Sequence, residues 1–152
     1  MGTVPARPAR KRDARNRDAR KVDPMPHQHW LRIVTGDAPT DAARVSGAAC
    51  RSRAGLLAEW AARLRFPEYF GHNWDALADS LKDLTAAAPL TLVVDDAAQV
   101  LADEPPAQLR TLLAVLAEVA EAQPGTLDVI LACGPGDEPE LRERIAAAGA
   151  GR

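Results

Sequence analysis

The side chains able to do chemistry in this chain are mainly carboxylates, and three stand at helical spacing: Asp75, Asp79 and Asp83. Like charges one turn apart repel by roughly a few tenths of a kcal/mol per pair. A helix begun at Asn73 recovers part of this at Asp75, in its first turn, where the positive end of the dipole favours an anion. Asp79 lies too far in to benefit, and Asp83 approaches the wrong end. Such a row is ordinarily just a solvated face. The residues before it argue for more, because Phe66 to Trp74, FPEYFGHNW, holds four of the chain's six aromatic residues. Rigid aromatics beside charges, in a connection held by Pro67 and Gly71, are what protein-binding surfaces use.

Other groups are poorer candidates. Asp95-Asp96 ends an apolar run, a position where α/β enzymes place catalytic acids or Mg²⁺ ligands. No Lys, Ser/Thr or further acid at a comparable strand end completes such a set, and an N-cap for the following helix is the simpler role. Gly134 to Asp137 has the glycines of a phosphate loop but neither its Lys-Ser/Thr nor the spacing of a dinucleotide fingerprint. Ser46, Ser52 and Ser80 sit in no nucleophile elbow, and His72 is the only histidine inside the body, so no triad or dyad assembles. His27 and His29 lack further ligands nearby. Cys50 and Cys133 match no metal spacing and read as free buried thiols of a reducing cytoplasm, with one disulfide as the alternative. The residues thus point to no enzyme, cofactor or metal.

The elements that must position the acidic row follow from periodicity. Trp30–Thr35, WLRIVT, reads as a strand closed by Gly36-Asp37. Ala49–Leu64 carries Leu56, Leu57, Trp60 and Leu64 at helical spacing. Asn73 is a good N-cap for a helix to about Leu84, with Trp74, Leu77, Leu81 and Leu84 on its inner face. Strands are expected at 89–94 and 127–132, a short helix at 97–101, and longer helices at 107–122 and about 138–147. Strands separated by helices imply an α/β fold with a small three-stranded parallel sheet flanked by helices.

Charge divides the chain in two. Residues 1–26 hold eight Lys/Arg against three Asp, a net of +5, with four prolines and no apolar period. They read as a disordered basic tail, either simply solvated or acting as an arm for nucleic acid or acidic surfaces. Residues 27–152, taken as one domain, hold eleven Lys/Arg against eighteen Asp/Glu, a net of −7. A body of that sign avoids nucleic acid and favours a basic partner. There is no apolar run of membrane length and no signal-peptide core, so a cytoplasmic protein without a membrane partner is expected.

The run PEYFGHNWDALADSL, Pro67 to Leu81, resembles the signature of the barstar family, intracellular inhibitors of the ribonuclease barnase. The order of elements is similar too, over about Trp30 to Ala132. The resemblance implies an inhibitor that plugs the active site of a small cationic, guanyl-specific ribonuclease, without metal or nucleotide. By matching positions it implies partner contacts at Tyr69, Gly71, Asn73, Asp75 and Asp79, with Glu118 on the long helix. Asp79 matches the carboxylate that takes the phosphate position among the nuclease's cations. Ala78, Leu84 and Lys82 depart from the family's type member, and a cation at Lys82 is expected to oppose a basic nuclease. The other reading is a barstar-like interaction domain whose partner is not a nuclease, docked on RNA through the basic tail.

Overall fold

The computed structural model describes residues 30–68 and 70–150. The basic segment 1–26, His27, His29 and Tyr69 lie outside the described residues. Four strands, β1 (Leu31–Val34), β2 (Ala43–Ser46), β3 (Leu90–Asp95) and β4 (Leu127–Ala132), form one sheet in the order β1-β4-β3-β2. Every neighbouring pair is parallel, with Leu31 and Leu92 both in register with Val129. Among the described residues four α-helices flank it: α1 (Arg53–Leu64), α2 (Trp74–Ala87), α3 (Pro106–Ala122) and α4 (Glu138–Ala150). Short 3₁₀ turns occupy Gly47–Cys50 and Ala97–Gln99.

The central strands explain the parallel arrangement. Leu92, Val93, Val94, Val129 and Ile130 are all buried, so side chains on both faces are covered, as parallel sheets require. Leu92, Val94, Val129 and Leu131 join Trp60, Leu77, Leu81 and the α3 leucines in the main core. Helix α3 contributes Leu109, Leu112, Leu113, Val115, Leu116 and Val119, and begins at Pro106, whose missing N–H costs nothing there. Helix α4 adds Leu141 and Ile145, and Arg144 ties it down by donating to the carbonyls of Ala98 (3.1 Å) and Val100 (2.9 Å).

The expected sheet of three strands is corrected to four, because Ala43–Ser46 forms the edge beside β3. Only Val45 of that strand is fully buried, and Arg44 turns outward to form a two-pronged ion pair with Asp95 (2.7 and 3.1 Å). The helix expected from Ala49 begins later, since the chain makes a 3₁₀ turn first. A Cβ at Gly47 would lie 2.2 Å from the Asp96 carbonyl oxygen, so this close passage admits only glycine. Helix α1 starts after Ser52, whose Oγ accepts the Gly55 N–H at 3.0 Å, while Glu104 accepts the Arg53 N–H at 2.8 Å. The capping role expected of Asp95-Asp96 is also corrected. Asp96 adopts φ +50° with no side-chain cap bond, and Asp95 serves Arg44.

Both cysteines are free; Cys50 is buried and Cys133 only half-buried. Burial pushes the Cys50 thiol up to about 12. The Trp60 indole N–H lies near enough to favour the thiolate slightly, yet it makes no hydrogen bond by distance and angle.

Candidate binding surface on the α1–α2 loop and α2

The surface begins where α1 stops. Arg65 enters the left-handed region (φ +59°), which ends the helix, and its N–H and that of Phe66 both turn back to the Ala61 carbonyl. A turn closed by Phe70 N–H to Pro67 O (2.9 Å) follows. The Phe70 ring packs against both Phe66 and His72, with centroids 4.9 Å apart in each case. His72 also adopts a left-handed φ of +54°, costly for a residue with a Cβ. Its Nδ1 lies 3.1 Å from the Phe70 carbonyl oxygen, which can only accept, so Nδ1 carries the proton and holds the turn.

Asn73 ends the loop and starts α2 in one residue. Its Oδ1 accepts the Ala76 N–H at 2.7 Å, the expected cap, and its Nδ2 reaches back to the Gly71 carbonyl at 3.3 Å. Leu77 and Leu81 are 0 % exposed and anchor α2. Trp74 and Leu84 are only partly buried while Ala78 and Thr85 are buried, so the inner face is turned towards Ala78 and Thr85 rather than centred where the spacing suggested. The Trp74 indole N–H donates to Gln108 Oε1 (3.2 Å), fastening the start of α2 to α3. Thr85, buried near the end of α2, returns its hydroxyl to the Leu81 carbonyl at 2.9 Å.

Opposite the anchored edge, Asp75, Asp79 and Asp83 are exposed, and none joins an ion pair with another described residue. Lys82 behaves otherwise than expected. Its Nζ lies 2.5 Å from Glu118 Oε2 on α3, so the cation expected to oppose a basic partner is matched within the chain. The Glu118 hydrogen bond chiefly, and Asp79 nearby, hold the Lys82 ammonium above its usual range. The structure therefore brings Gly71, Asn73, Asp75 and Asp79 together on one loop and helix, with Glu118 joined to them through Lys82.

Sequence reasoning missed a cleft of about 400 Å³ between the loop and α2. It is lined by Phe66, Pro67, Phe70, Gly71, Ala76 and Leu84, with Asp79, Asp83, Ser80 and Arg65 contributing the polar part. The available signal was the spacing of Ala76, Asp79, Ser80, Asp83 and Leu84, which shares one side of a helix. Among the described residues no group of three or more His, Cys, Asp or Glu is placed to hold a metal. No helix among them is long and apolar enough to cross a membrane.

Fold and site together define a parallel α/β domain that presents a capped, acidic loop-and-helix surface held rigidly from beneath. The family model described as Barstar (barnase inhibitor) matches residues 40–132, well over half of the chain, and the protein belongs to that family. No curated protein matches the chain. The matched region starts later than the resemblance suggested: it contains β2, β3 and β4 but neither β1 nor α4.

Proposed function

We propose that the protein inhibits a small cationic ribonuclease by covering its active site with the 67–73 loop and α2, as a cytoplasmic antidote that needs no metal or nucleotide. The observation that carries this reading is the pair of carboxylates, Asp75 and Asp79, exposed and in no ion pair with another described residue, directly after the Asn73-capped loop. A nuclease cleft is cationic because it must hold phosphodiesters, and an acidic helix face competes for the same groups. Asp79 takes the central position among the nuclease's cations, and Asp75 makes a second charged contact. Gly71 and Asn73 contribute through the loop backbone, Tyr69 through its ring, and Glu118 from α3. Burying Asp79 is favourable only if every one of its oxygens meets a donor, which a phosphate-binding cleft supplies. The net charge of −7 on residues 27–152 speeds encounter with such a partner. Those residues act as one inhibitory domain, and residues 1–26 are an arm dispensable for inhibition.

The test is a titration of guanyl-specific microbial ribonucleases, including any encoded beside this protein, with the full chain. Asp79→Ala should weaken inhibition by roughly 2 kcal/mol or more, the range of desolvated hot spots for which the barnase–barstar pair is the worked case. That corresponds to about thirtyfold or more. Asp83→Ala should cost far less. Comparable small effects of both variants would move the contact away from this helix, and no inhibition of any such nuclease would end the proposal.

A further inference from the structure

We propose that the cleft between the α1–α2 loop and α2 receives an arginine side chain of the partner, with Asp83 as its second carboxylate. The identification of the partner as a nuclease rests on the inhibitor reading above; the chemistry of the cleft does not. Its walls are apolar and partly aromatic: Phe66, Phe70, Pro67, Ala76 and Leu84. Two carboxylates, Asp79 and Asp83, open onto the same space from successive turns of α2. Both are exposed, and neither is paired with another described residue. A cleft lined by apolar side chains and two anions matches a side chain with an aliphatic stem and a cationic head. Arginine fits better than lysine, because guanidinium is weakly hydrated, stacks on aromatic faces and can serve two carboxylates at once. At about 400 Å³ the cleft is roomy enough for such a group.

One group opposes this. Arg65 also lines the cleft, so the local charge is that of two carboxylates less one guanidinium. Arg65 makes no ion pair with another described residue. It therefore competes for the same carboxylates, which sets the sign of a test. Removing Asp83's charge should weaken binding of an arginine side chain, and removing Arg65's should strengthen it. Asp83 has no ion-pair partner among the described residues and stands near the negative end of its helix, so neutralising it does not threaten folding.

The experiment uses the ¹⁵N-labelled full chain at low ionic strength, titrated with N-acetyl-arginine methylamide and, separately, with the uncharged isostere N-acetyl-citrulline methylamide. Arginine should shift the amide signals of Phe66, Phe70, Asp79, Asp83 and Leu84, and citrulline should not. Asp83→Asn should weaken the arginine titration by about two- to fivefold, as expected for one exposed charge pair, and Arg65→Gln should tighten it. Asp137→Asn, with the same change in net charge on another loop, should do neither. Scattered shifts, equal shifts with citrulline, or no response to Asp83→Asn would overturn the proposal. In parallel, a ribonuclease that the unaltered chain inhibits should be inhibited two- to fivefold less well by Asp83→Asn; an unchanged value removes the nuclease arginine from the cleft. Failure of the unaltered chain to inhibit would instead strike the inhibitor reading, whatever the arginine probe does.

Discussion

Asn73→Ala isolates the joint between loop and helix. In the native chain Asn73 is extended (φ −140°, ψ 172°), and its Oδ1 accepts the Ala76 N–H at 2.7 Å. Alanine has no acceptor, so one donor of the first turn is left to solvent, at a cost of about 1 kcal/mol within a range of roughly 0.5–2. The second bond, Nδ2 to Gly71 O, is long at 3.3 Å and exposed, so it adds little. For a chain of this size 1 kcal/mol corresponds to about 2–4 °C in Tm. Asn73→Gly should cost only a few tenths of a kcal/mol, because solvent reaches the freed N–H more easily. Asn73→Asp should stay close to the parent, since it keeps the acceptor and puts an anion at the helix start. Urea unfolding followed by circular dichroism measures all three. Nuclease inhibition by Asn73→Ala should then weaken by no more than about tenfold, the equivalent of 1.4 kcal/mol, because binding must only restore the fraying turn. Two results would refute this reasoning: equal stability of the alanine variant and the parent, or a hundredfold loss of inhibition without a loss of stability. The latter would mean that the Asn73 side chain itself grips the partner.

Lys82→Met should raise the association rate with a cationic nuclease and free Glu118 for contact, a gain that stopped-flow measurements should see at low salt and lose at high salt. Ile145→Ala removes a side chain 1 % exposed in the core and should cost about 2–5 kcal/mol in denaturant unfolding. A cost below about 1 kcal/mol would mean that α4 is not integral to the fold. Cys50 makes stability depend on alkaline pH. Its thiol ionises at about 12 in the fold against 9.0 for the free group, so the unfolded chain loses its proton first. The associated stability is full below pH 9 and falls as pH rises from 9 towards 12. Cys50→Val should flatten that decline, and native Cys50 should resist thiol reagents at pH 8 while Cys133 reacts first.

The strands WLRIVT, PLTLVV and LDVILA, the leucines of α3 and the Asn73 cap were legible because each rests on local signals: apolar runs, helical spacing and one capping side chain. Strand β2 was not, because ARVS buries a single side chain fully and owes its extended form to β3 and to Asp95, about fifty positions away. The same holds for the turn at Gly47, imposed by the distant Asp96 carbonyl. Lys82 was read as a free cation because its partner Glu118 lies 36 positions away, beyond any rule of spacing along one helix. Asp83 was passed over as a solvated carboxylate. Its interest comes from the cleft wall supplied by Phe66 and Phe70, which periodicity does not place against α2. The acidic row and its loop, by contrast, form one contiguous segment, which is why most of the candidate surface could be named before any fold was known.

The placement of β1 has a consequence for how the chain is made. Its Arg32 pairs with Asp128 on β4, 96 positions further on. At a translation rate of about 5–20 residues per second, those positions take roughly 5–20 s to emerge. During that interval the earliest described strand lacks its β4 partner, while β2, the acidic helix and β3 leave the ribosome in turn ahead of β4. Strand β1, the first of the described strands to be synthesised, is therefore among the last to dock. The matched region, which contains the candidate surface, starts at residue 40, after β1, so its own β2–β3 pairing need not wait for that closing step.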